Sequence, residues 1–208
     1  MTTVTRYPDD LTLLDARTRY FADNGFGATG GYDDKWVPLA IAGLTIPFPN
    51  TKARARAVRY HDLHHILTGY GTDFASEAVI SAWELGAGCG RNPAPWVINL
   101  AGMGAGLLTH PRRTYAGFVR GRHSASLYDR PYDPMLAETV GAARARTHTP
   151  PSDARPKTRG GDAVAFSGAV IGCALALPLV TAVTIALLPL GLAALAAKRT
   201  TAASPRSE

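Results

Sequence analysis

Arg59-Tyr60-His61-Asp62-Leu63-His64-His65-Ile66-Leu67-Thr68-Gly69 runs directly into Tyr70-Gly71-Thr72-Asp73-Phe74-Ala75-Ser76-Glu77. The stretch has the form HDxxH-x11-E and gathers two imidazoles and two carboxylates within 17 residues. His61 and His65 are four apart, so on a helix they project from one face about one turn apart. Neutral imidazole and carboxylate together suit zinc or ferrous iron. Asp62 lies about a quarter-turn from His61, where it either closes the site from the side or orients a histidine from outside. Glu77 cannot share that face, because Gly69-Tyr70-Gly71 interrupts the pattern and turns the chain. A second helix from Thr72 or Asp73 brings Glu77 back in its first turn, and the expected metal site is built across a helix-turn-helix corner.

Outward from this corner the chain reads as all-α. Asp9 or Asp10 is positioned to cap a helix bearing Leu11, Leu14, Tyr20 and Phe21, ended by Asn24-Gly25. Gly25, Gly27, Gly30 and Gly31 mark a turn region with no GK[ST] after it. Trp36 to Phe48 is apolar but broken by Pro38 and Pro47, and reads as a buried irregular segment or short helix. Asn50 or Thr51 caps the motif helix, whose first turns carry Lys52, Arg54 and Arg56; cations there oppose the helix dipole and invite external anions such as lipid headgroups. On the second motif helix Glu84 stands seven residues after Glu77, a candidate group behind the ligands. Gly86, Gly88 and Gly90 sit at a helix end rather than after a strand, which excludes a dinucleotide fingerprint. Trp96 to Leu108 is a buried helix whose Gly102, Gly104 and Gly106 allow close backbone approach. Pro111 opens a helix bearing Arg112, Arg113, Arg120 and Arg122 on a membrane-facing or solvated face. Asp133-Pro134 starts a last soluble helix through Met135, Leu136 and Val140. No alternating strand pattern stands out, so the expectation is a helical domain over 1–149, large enough to bury a core.

A Pro-, Gly- and charge-rich linker over 150–162 precedes residues 163–197, which carry no charged side chain in 35 positions. About 20 apolar residues suffice to cross a bilayer, so this is a transmembrane segment by expectation, either one tilted helix or a hairpin bent at Pro178. Gly168 and Gly172 form a GxxxG pair. Arg155, Lys157 and Arg159 flank one end and Lys198 and Arg199 the other, at the start of a basic tail, 198–208. The N-terminus has no apolar stretch of the kind a signal peptide needs, and Asp9, Asp10 and Asp15 do not suit a presequence. The domain is therefore expected at the membrane, on the cytoplasmic side of a bacterial inner membrane. Cys89 and Cys173 form no CxxC and fit a reducing compartment. The formal charge of +6 is assigned to the membrane surface rather than nucleic acid, since no nucleic-acid module frames the arginines.

The motif and its flanks, Leu67-Thr68-Gly69, Glu77-Ala78-Val79 and Trp83-Glu84, resemble the coenzyme Q (ubiquinone) biosynthesis protein four family, most clearly from Arg59 to Gly86. The resemblance implies a zinc-type metal, alternatively ferrous iron, on His61, Asp62, His65 and Glu77. It implies ubiquinone biosynthesis: metal-dependent removal of the C1 carboxylate from a polyprenylated hydroxybenzoate-type ring, coupled to hydroxylation there. Its expected partners are membrane lipid, the polyprenylated precursor and other quinone-biosynthesis proteins. The alternative is a non-catalytic scaffold that binds the lipid and organises those enzymes around a structural metal. The long apolar tail departs from the family, whose members are mostly peripheral at the membrane. His64 makes the segment read HxxHH, like one box of membrane di-iron enzymes, but His110, His123 and His148 supply no further box; His64 is a bystander or an outer group.

Overall fold

The computed structural model describes residues 6–41, 44–149 and 156–203, without the side chains of 38–46 and 194–203. The start of the linker with Arg155, and the end of the basic tail, lie outside them. The described chain is mostly helical, with the elements α1 (Leu13–Asn24), β1 (Trp36–Ile41), β2 (Leu44–Pro49), α2 (Lys52–Thr68), α3 (Phe74–Ala87), α4 (Pro93–Thr109), α5 (Pro111–Arg122), α6 (Tyr132–Met135), α7 (Val140–Thr147) and α8 (Asp162–Ala203).

Local chemistry sets the helix ends. Thr12, Thr51, Asp73 and Thr139 each accept a backbone N–H of the following helix, and Gly25 and Gly69 close α1 and α2 in the left-handed conformation. The first cap is thus Thr12 rather than Asp9 or Asp10, and Thr51 rather than Asn50 caps α2. Asn50 serves the loop before the hairpin instead: its side-chain N–H groups reach the carbonyls of Gly31, Tyr32 and Asp34.

The expected irregular segment at Trp36 to Phe48 is an antiparallel hairpin. Its apolar run does not alternate, so periodicity gave no strand signal. Pro38 and Pro47 face each other across the ladder, which the hairpin tolerates because their missing N–H groups belong to a pair that does not exchange hydrogen bonds. The single last helix expected from Asp133 is also two elements. One turn, α6, ends at Met135, and Thr139 starts α7 afresh; Thr12 bridges Thr139 and ties this corner to the start of α1.

Packing centres on α3, which contacts α2, α4 and α5. Against α5 the approach is backbone to backbone: a Cβ on Gly86 would strike the Phe118 carbonyl, and one on Gly121 the Trp83 carbonyl. Trp83, Leu63, Ile66, Leu67, Ile80 and Met103 are fully buried around this seam. Two arginines fasten the end of α2. Arg144 donates to the carbonyls of Ile66 and Leu67 and to that of Tyr7, while Arg120 donates to the Thr68 carbonyl and lies over the Tyr70 ring. Arg120 therefore leaves the solvated face expected of α5 and satisfies an orphan helix carbonyl in the interior. In α4, Asn99 and Met103 are buried, but Trp96, Val97, Ile98 and Leu108 are not, so this helix covers the core with one face only.

α8 is one continuous helix that holds Pro178 and Pro189 inside it, not a hairpin, and is long and apolar enough to cross a membrane, with a mean hydropathy of 2.4 over an 18-residue stretch. It packs on α4, α5 and β2.

Candidate metal centre

His61 and His65 leave the last turns of α2, and Glu77 leaves the first turn of α3. The corner between the helices brings their ligand atoms together: His61 Nε2 is 3.1 Å from His65 Nε2 and 3.2 Å from Glu77 Oε2, and His65 Nε2 is 3.4 Å from Glu77 Oε1. This His61-His65-Glu77 group could hold a metal ion.

The partners of the other ring nitrogens fix how these atoms face the centre. His65 Nδ1 lies 3.0 Å from the Tyr70 carbonyl, which can only accept, so Nδ1 carries the proton and Nε2 presents its lone pair. His61 Nδ1 lies 2.8 Å from Glu84 Oε1 and donates to it. Two imidazole nitrogens thus converge beside a carboxylate. Such a group is stable only with positive charge at its centre, either a proton on His61 Nε2 or a metal ion. Burial alone would lower the His61 pKa, but Glu84 and Glu77 outweigh it and hold it well above the usual range. Burial would likewise raise Glu77, but His65 and His61 pull it down to about 2. The spacing is that of ligands around a single ion, as zinc geometry illustrates. Two ligands about 2.0–2.1 Å from one zinc ion stand about 3.3 Å apart at a tetrahedral angle, close to the three separations above.

Behind the ligands is a buried carboxylate. Glu84 Oε1 accepts from His61 and, at 2.7 Å, from His64 Nδ1; Glu84 Oε2 accepts from Asn99 and Tyr128. His64 Nε2 accepts the Leu127 N–H at 2.9 Å, which forces its proton onto Nδ1. Burial lowers the His64 pKa and keeps the ring neutral. Burial would raise Glu84, yet the two histidines hold it well below the usual carboxylate range. A ligand histidine whose second nitrogen is held by a carboxylate is locked in orientation and made more basic. Spacing from Glu77 marked Glu84 as a candidate. Asn99 and Tyr128, 15 and 44 residues away, carried no sequence signal.

Asp62 stands apart from the three-residue group. Its Oδ2 accepts the Tyr32 hydroxyl at 2.6 Å, and burial holds its pKa up at about 6 against that bond and the two histidines. It braces the loop before the hairpin against α2. Tyr20 stacks on the His65 ring from the other side, with centroids 5.6 Å apart. The centre is walled unevenly: the His65 side chain is 1% exposed, His61 17% and Glu77 41%, so solvent reaches it from the Glu77 side.

Comparison of the chain with protein-family profiles, characterised proteins and solved structures finds no match.

Proposed function

We propose that this is a membrane-associated metalloprotein of quinone biosynthesis, acting on a polyprenylated hydroxybenzoate-type ring to replace the C1 carboxylate, lost as carbon dioxide, by a hydroxyl whose oxygen comes from dioxygen, the second oxygen atom leaving as water with two electrons and two protons from an external reductant. The observation that carries the metal assignment is the convergence of two imidazole nitrogens, 3.1 Å apart, on the Glu77 carboxylate. The choice of substrate draws on the motif spacing and its flanks, and on an apolar helix that would keep the domain beside a lipid-borne ring. His61, His65 and Glu77 would hold zinc or ferrous iron, with Asp62 as a flanking carboxylate. A bound ion would supply Lewis acidity toward the oxygen substituents of the ring. Glu84 fixes the His61 ring, His64 and Tyr128 fix Glu84, and Tyr20 covers the closed side. The open Glu77 side favours a catalytic site over the closed shell that a scaffold with a structural metal requires.

Elemental analysis of the full chain beside a His61→Ala, Glu77→Ala double variant tests the centre. About one zinc or iron per chain, lost in the variant, is expected. Equal metal in both removes the site. Conversion of a prenylated hydroxybenzoate by the loaded protein, absent in His65→Ala, tests the activity; binding of the precursor with no turnover, with oxygen and iron present, leaves the scaffold.

A further inference from the structure

An interfacial helix ordinarily carries its own charged face, and α8 has none between Ala163 and Ala197. The folded domain covers one side of it instead. Phe166 packs edge-on against Tyr115 and Phe118 of α5, Gly172 meets Leu100 of α4, and Cys173 and Leu177 lie against Gly104. Farther along, Gly191 sits directly under Pro47 of β2. Between these ends Val180, Thr184 and Leu188 continue the covered stripe at helical spacing. The opposite side is bare: Val164 is 77% exposed, Leu175 72% and Leu179 61%, and Ala186 is exposed farther along.

The length of this contact decides how α8 can meet a bilayer. Phe166 and Gly191 are 25 residues apart, about 37 Å along a helix, longer than the hydrocarbon core of about 30 Å. The domain touches α8 at both ends, and each end carries charge. At the first, Asp162 binds His123 and lies 3.6 Å from Arg122. At the second, exposed Lys35 and Lys52 flank the base of the hairpin that carries Pro47, where the Asn50 N–H donates to the Lys35 carbonyl. Because the domain lies along α8 over more than the thickness of the hydrocarbon core, a helix crossing the membrane would draw the domain itself into hydrocarbon, with the exposed Arg112 that stands three residues before Tyr115.

We infer that α8 does not cross the bilayer but lies flat in one leaflet, its bare apolar side toward the acyl chains and its other side roofed by α4, α5 and the hairpin. This rests on the membrane association proposed above and turns the tail into a monotopic keel, held parallel to the surface by the domain. The occupant of the bare face is lipid hydrocarbon: that face is uncharged from Ala163 to Ala197, while Arg122 stands beside Asp162 at its start, where a headgroup phosphate would lie.

The test places a fluorophore singly at Val164→Cys, Leu175→Cys and Ala186→Cys, all on the bare face, in the full chain, bound to vesicles of phosphatidylcholine and phosphatidylglycerol. Phosphatidylcholines brominated at different acyl positions measure depth. The wild-type chain is the labelling blank, since Cys89 and Cys173 are both buried. A flat helix gives three equal, shallow depths. A graded profile, with position 175 at the centre and 164 and 186 near opposite surfaces, overturns the inference and leaves membrane association intact. No quenching at any position overturns both, as does a lipid-free dimer that cross-links through these positions and ignores vesicles. The metal content of each variant is unchanged in every case, so failure here is separable from failure of the metal centre.

Discussion

Glu84→Gln isolates the carboxylate that orients His61 without touching a ligand. In the native site one buried carboxylate accepts four hydrogen bonds, two of them from histidine Nδ1–H groups. Gln keeps the size and one acceptor oxygen, and that oxygen can still take the His61 and His64 protons. It loses the charge, and a charge-assisted hydrogen bond is about twice as strong as a neutral one, about 1–1.5 kcal/mol more. For the bond to His61 alone this is roughly tenfold in metal affinity, the low end of the effect of removing such a partner.

The assay is competition for zinc against a chromophoric chelator, with wild type, Glu84→Gln and Tyr128→Phe side by side. Tyr128 donates to Glu84 Oε2 and touches neither ligand, so its variant is expected to stay within about threefold of wild type. Circular dichroism establishes that all three are folded. A folded Glu84→Gln that binds zinc within twofold of wild type would refute the orientation argument, because the His61 bond would then contribute nothing. A loss in Tyr128→Phe as large as in Glu84→Gln would refute it differently, by making the effect one of general packing.

Other perturbations probe the frame. Gly121→Ala forces a Cβ into the Trp83 carbonyl at the α3–α5 seam, and overpacking there is expected to cost about 1–3 kcal/mol in urea denaturation. Arg144→Met leaves the carbonyls of Tyr7, Ile66 and Leu67 buried without their donor, an expected loss of about 3 kcal/mol or more, read the same way. Asp62 makes stability depend on pH. Its folded pKa of about 6 lies above the unfolded value of about 3.9, so the native state binds more protons between them and stability falls as pH rises from about 4 to about 6. The gap corresponds to about 3 kcal/mol at most, and Asp62→Asn is expected to flatten that part of the curve in metal-free denaturation.

The parts of the site legible in the sequence were those fixed by local geometry. The four-residue step from His61 to His65, the Gly69 turn and the Asp73 cap each act within a few residues, and together they place Glu77 opposite the histidines. The hairpin escaped because a strand packed on a helix has no polar face to alternate with, and its prolines argued for irregular chain. Arg120 was expected on a membrane-facing or solvated face, and nothing in the sequence singled out Arg144. Only the assembled fold shows that they close the α2 terminus, where three carbonyls need donors in the interior. Glu84 was visible by spacing, but its partners were not, since Asn99 and Tyr128 come from α4 and from the loop after α5.

The non-local part of the design sets the precision of the local part. The i, i+4 pair determines that two imidazoles share a face, but not how far the Glu77 carboxylate stands from them. That distance depends on where α3 sits, and its position is fixed from behind: Gly86, Gly117 and Gly121 bring the α3 and α5 backbones together, and Gly102 and Gly106 let α4 close on the Ser81 and Ala78 side chains. A helix held by backbone contact on one side and by close-packed small side chains on the other cannot slide to relieve a crowded carboxylate, so Glu77 and Glu84 are both delivered to His61 from one rigid rod, seven residues apart. The glycines of this chain thus belong to the metal centre as much as the histidines do. A Cβ at Gly121 should loosen zinc binding as well as the fold, although it lies behind α3 from every ligand. Zinc affinity measured on Gly121→Ala under conditions where it stays folded decides this. A loss of several-fold is expected, and an affinity equal to wild type would mean that α2 alone sets the site.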